Sequence, residues 1–126
     1  SNTAILDQAL SALLDDLHTS GMLQETLVVL TTEFGRTPKI NQNAGRDHYP
    51  KAFSAVLAGG GVKGGVVYGK TDDEGREPIE DPVTIGDFNA TIAYGCGLPL
   101  DQRLFTKTAR PFTVANHGDP VIKLFS

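Results

Sequence analysis

The chain has a single cysteine, Cys96, no tryptophan, and only three tyrosines and six phenylalanines. One cysteine excludes an intramolecular disulfide and any cysteine-based zinc cluster. Long apolar runs are also missing. Nothing approaches the roughly 18 to 20 residues that a membrane-spanning helix requires, and no signal-peptide pattern is present. Positive charge is scarce: 11 Lys and Arg stand against 15 Asp and Glu, giving a formal net charge of −4. The basic residues form no run or stripe, which argues against a nucleic-acid partner. No Gly-x-Ser-x-Gly element marks a serine nucleophile. Ser1-Asn2 reads as a tag scar, so the native start is taken to lie elsewhere.

What is present suits one folded unit. With 126 residues, 40% hydrophobic and 21% charged, the chain is long enough for a single workable core, and we read residues 1–126 as one domain. Ile5, Leu6, Ala9, Leu10, Leu13, Leu14 and Leu17 recur at the three- and four-residue spacing of an amphipathic helix, with Asn2 or Thr3 as its cap and Gly21 as its left-handed terminator. The apolar run Thr26 to Thr31 then reads as a strand. A second strand is expected at Phe53 to Leu57, a short third at Val66 to Tyr68, and a solvated excursion from Thr71 to Pro82. Thr84 with Asp87 forms a capping box for a helix reaching about Cys96, burying Ile85, Phe88, Ile92 and Ala93. Cys96 itself is expected to be packed, and the segment after Pro99 to be irregular. Helix handing over to strand points to an α/β fold.

The chemistry concentrates after the first strand. Leu27-Val28-Val29-Leu30 leads into Thr31-Thr32-Glu33-Phe34-Gly35-Arg36-Thr37-Pro38, and Gly45-Arg46-Asp47-His48-Tyr49-Pro50 follows before the next strand. Open α/β sheets place ligands at the carboxyl ends of their strands. Glu33, Asp47 and His48 offer the oxygen and nitrogen donors that zinc and manganese accept, with magnesium or calcium as further candidates. Arg36 and Arg46 carry guanidinium forks suited to a phosphate or sulfate oxyanion. The plainer alternative pairs Glu33 with one of these arginines and leaves His48 as a backbone-bonded loop residue. The glycine stretch Gly59-Gly60-Gly61-Val62-Lys63-Gly64-Gly65 lacks the Gly-Lys-Ser or Gly-Lys-Thr ending of a phosphate loop and leads into a strand-like segment, so it reads as a turn. His117, in Asn116-His117-Gly118-Asp119-Pro120, reads as turn chemistry.

These elements, with Ala58 to Gly65 and the ending Asn116 to Phe125, resemble the bacterial domain-of-unknown-function family 1501 over almost the whole chain. That resemblance implies a longer, exported and periplasmic parent related to the alkaline phosphatase and sulfatase superfamily, with this chain as its C-terminal third. It implies an alkaline-phosphatase-like α/β sandwich fragment: a mostly parallel sheet flanked by helices, with a small hairpin excursion. In that superfamily an apolar strand ends in Thr-x-Asp-His-Gly. Here Thr32-Glu33-Phe34-Gly35 keeps the carboxylate in Glu33, replaces the histidine with Phe34, and has His48 where a downstream histidine ligand is expected. The implied activity is metal-dependent hydrolysis of a small phosphate or sulfate ester, with Glu33, Asp47 and His48 on the metal and Arg36 and Arg46 on the oxyanion. The chain carries no nucleophile of that type and is expected to be catalytically silent by itself. A non-catalytic exported binding module with an eroded site is the second class kept open. Exposed sheet edges would favour self-association.

Overall fold

The computed structural model describes residues 2–126. The first helix, α1 (Asn2–Thr19), runs through both residues expected to cap it and ends before Gly21, whose φ of 76° turns the chain into a short 3-10 segment, Met22–Gln24. Strand β1 (Val28–Leu30) follows, then β2 (Gly35–Arg36), β3 (His48–Tyr49) and β4 (Val56–Ala58). Next come β5 (Lys70–Thr71), β6 (Pro78–Glu80), helix α2 (Ile85–Gly95), β7 (Leu104–Phe105) and β8 (Pro111–Phe112). Two further 3-10 turns, Val114–His117 and Ile122–Leu124, close the chain.

Four separate two-stranded sheets form, β1 with β4, β2 with β3, β5 with β6 and β7 with β8, and all four are antiparallel. This overturns the expected mostly parallel sheet flanked by helices. Parallel neighbours need a crossover connection, usually a helix. Between Leu30 and Val56 the chain instead spends its length on the β2–β3 hairpin, so β4 returns against β1 with Val29 opposite Leu57. Val66 to Tyr68 forms no strand; the ladder starts at Lys70 and pairs it with Glu80. The supposedly irregular segment after Pro99 contains the β7–β8 hairpin.

Burial is concentrated at α2. Ala90, Thr91 and Ala93 are buried, together with Thr113 from the tail, and these four are the only buried residues among those described. Ile85, expected on the inner face, is exposed, and so is Cys96. The helix starts as expected: the Thr84 hydroxyl accepts from the Asp87 N–H at 3.1 Å while Asp87 Oδ2 accepts from the Thr84 N–H at 3.3 Å. The tail is then tied to this helix. Asp87 Oδ1 accepts from the Asp119 N–H at 2.8 Å, and the buried Thr91 hydroxyl accepts from the Val121 N–H at 2.9 Å while donating to the Asp87 carbonyl. Gly118 packs so closely on Gly86 that an added Cβ would collide with the Gly86 carbonyl. Just before it, Ala115, Asn116 and His117 all adopt left-handed backbone, with φ of 59°, 49° and 65°. The end of the chain then reaches the glycine turn, where Phe125 bridges Val62 and its ring meets Tyr94 edge-on at 5.2 Å.

Helix α1 behaves differently. None of its residues is buried, and its main packing partner is the adjoining 3-10 segment. The expected buried face is only partly covered: Ile5 is 69% exposed and Leu13 48%, while Leu10, Leu14 and Leu17 are half-buried. The chain as a whole exposes 9520 Å² at a mass of 13.4 kDa. A closed globule of that mass exposes about 6,500 Å², so the surface is some half larger than a self-contained domain needs.

Candidate functional site

The stretch from Gly35 to Pro50 is a hairpin braced from within. Arg36 pairs with His48 and Gly35 with Tyr49 across β2 and β3. Alternation then puts Phe34, Arg36 and His48 on one face. The Phe34 and His48 rings stack with centroids 3.9 Å apart and planes inclined by 28°, and the Arg36 guanidinium carbon lies 5.7 Å from the Phe34 centroid. Gly35 is required by space, because a side chain there would run into the Ala52 carbonyl.

Two of the five candidate site residues are used to close this hairpin. Arg46 donates from one nitrogen to the carbonyls of Thr37 and Pro38. Asp47 Oδ1 accepts from the Asn41 side-chain amide at 2.8 Å, and the Asp47 N–H donates to the Thr37 hydroxyl. Arg36 is partly engaged, donating from Nη1 to the Arg46 carbonyl at 3.1 Å. Glu33 and His48 differ: among the described residues, neither side chain makes a hydrogen bond or an ion pair. The simple alternative of a Glu33–arginine pair is thus not adopted. No cluster of three or more His, Cys, Asp or Glu side chains with metal-site geometry occurs among the described residues.

Sequence reasoning passed over Asn41 and the stacking role of Phe34. Asn41 Oδ1 accepts from the N–H groups of Asn43 and Gly45, making it the pivot of the turn. Its signal was available, since asparagine bonding to backbone a few residues on is ordinary turn chemistry. The stack carried no such signal, because it depends on the register of β2 against β3.

Beside the hairpin lies an open cleft of about 530 Å³, lined by Thr32 to Arg36 on one side and by Ala52, Phe53 and Ser54 on the other. Its volume is in the range of small-molecule sites. The cleft lining therefore joins the acidic Glu33 and the basic Arg36 to the apolar Phe34, Ala52 and Phe53. The matching family model spans residues 1–125 and is described as Protein of unknown function (DUF1501). The chain belongs to this family. No curated protein and no solved structure matches it. Within this DUF1501 chain, the segment that carries the distinctive Glu-Phe-Gly-Arg-Thr-Pro sequence is thus the one that builds the cleft wall and the stacked ring pair.

Proposed function

We propose that the Glu33–His48 hairpin forms one wall of a metal-assisted site for a small phosphate or sulfate ester. The observation that supports it is selective freedom: of five candidate polar groups, the two with ligand chemistry and no hydrogen-bond or ion-pair partner among the described residues are Glu33 and His48. A carboxylate and an imidazole fit zinc or manganese, and a carboxylate also accepts magnesium or calcium. They would supply two of the three or four protein ligands usual for catalytic zinc, the rest coming from water or another surface. Asp47, held by Asn41 through one oxygen and tied to Thr37 by its backbone, is set apart from this ligand pair. A bound ion would act as a Lewis acid toward an ester oxygen.

The chain's own residues have separate parts in this reading. The Phe34 ring fixes the plane of the His48 imidazole by stacking on it. Arg36, with only Nη1 engaged, turns its remaining donors toward an anion in the cleft. Arg46 serves by shape, holding the loop closed through backbone carbonyls. An exported, periplasmic bacterial setting belongs to the same proposal.

A second reading has its own support. Phe34 covers one face of His48, and Arg46 and Asp47 are absorbed into the hairpin, as suits a non-catalytic binding module with a rigid rim. Calorimetric titration with zinc and manganese separates the two. We expect one ion per chain, with Glu33→Ala and His48→Ala each weakening it by more than about 100-fold, beyond the effect of losing an outer-shell partner alone. No binding to the natural sequence would overturn the metal site and leave the binding module.

A further inference from the structure

Two exposed surfaces of this molecule complement each other and do not pack extensively on one another within one chain. The first is α1, whose only charged side chains besides His18 are Asp7, Asp15 and Asp16. Asp15 and Asp16 stand in the last turns, where the negative end of the helix dipole adds to their field. Leu6, Leu10, Leu13 and Leu17 form a strip at alternating four- and three-residue steps, the spacing of a helix seam that packs against a partner. The second surface is the β7–β8 hairpin. From Arg103 to Phe112 it carries Arg103, Lys107 and Arg110 and no acidic residue. All three are exposed, Phe105 is 65% exposed beside them, and Phe112 is also exposed. None of these six charges forms an ion pair among the described residues.

We propose that the chain self-associates, with α1 of one copy seated on the β7–β8 hairpin of a second. A two-fold arrangement makes this contact twice. Area supports it: the chain exposes 9520 Å², roughly 3,000 Å² more than a closed globule of its mass. A standard interface takes only about 800 Å² from each partner. Charge fixes the pairing, because Asp7 and Asp16 flank the leucine strip about a quarter-turn to either side: helix against helix would set these carboxylates against one another, whereas helix against hairpin sets them against Arg103, Lys107 and Arg110.

Two variants of the whole chain test this by sedimentation across a concentration series. One carries Asp7→Lys and Asp16→Lys, the other Arg103→Glu and Arg110→Glu. The natural sequence should form a dimer that loosens at high salt. Each variant alone should bind itself about 10- to 100-fold more weakly, since like charges then meet across both contacts. Mixed in equal amounts, the two should regain the dimer, because each reversed helix then faces a reversed hairpin. That recovery also shows that neither variant has simply misfolded. A natural chain that stays monomeric, a dimer indifferent to both reversals as strand-edge pairing would be, or a mixture no tighter than its components would each overturn the proposal.

Discussion

Helices α1 and α2 are both amphipathic, yet they stand in opposite relation to the rest of the molecule. α1 is the longer, 18 residues against 11, and buries nothing. α2 holds nearly all of the enclosed side chains. Length and apolar content do not account for this. Most helical stability in proteins comes from tertiary packing of one face, and α2 has a partner, the tail from Thr113 to Val121, joined to it by hydrogen bonds at Asp87 and Thr91. Small residues make that possible: Ala90, Ala93, Gly86 and Gly118 let two backbones approach, while Leu6 and Leu13 of α1 stand exposed.

The sharpest way to break the contrast is Gly118→Ala. Gly118 has an ordinary φ of −67°, so its requirement is purely one of space against Gly86. Loss of about 3 kcal/mol is expected in denaturant unfolding, the upper end of overpacking costs, and α2 amides should lose exchange protection while those of α1 barely change. A loss under about 0.5 kcal/mol, the usual range for unremarkable surface changes, would show that the tail is not clasped.

Acid should act on the same contact. The Thr84 hydroxyl, and next the Asp119 N–H, hold the Asp87 carboxyl below its ordinary value. Because its pKa is lower folded than unfolded, Asp87 contributes stability that is fully present above about pH 4, the unfolded carboxylate value. That stability is lost as pH falls through the lowered native value. Asp87→Asn should therefore weaken the protein at neutral pH and flatten its acid limb in unfolding curves measured across pH. An unchanged limb would refute the role given to Asp87.

The smallest effect belongs to α1. Leu13→Ala, at a residue 48% exposed, should change the stability of dilute chain by less than about 0.5 kcal/mol. A loss of 2 kcal/mol or more, the scale of a core truncation, would mean that this face is already covered within one copy.

What could be read from sequence follows the range of the interaction. The Thr84–Asp87 box and the Gly21 turn are set by residues a few positions apart, and both appear as expected. The strip on α1 was legible as an amphipathic face, but periodicity does not say what covers a face. Strand direction was misread because Val28 to Leu30 and Val56 to Ala58 carry the same apolar signature whichever way they run. The connection between them decided it. At the cleft, Glu33 and Arg36 could be picked out as polar lining by residue type. The absorption of Arg46 and Asp47 into the hairpin depends on backbone carbonyls and on Asn41, and no pattern of side chains announces that.

The left-handed arc at Ala115, Asn116 and His117 bears on how this sequence can drift. A left-handed turn is open to glycine, tolerable to asparagine, and costly to β-branched residues, by about 1–2 kcal/mol or more at each position. The arc therefore acts as a filter on handedness, indifferent to charge or polarity. Glycine at Ala115 should pass it freely and valine should be turned back, although both exchanges are small and apolar. Variation along this stretch would then follow the mirror sense of the backbone more closely than the chemistry of the side chains.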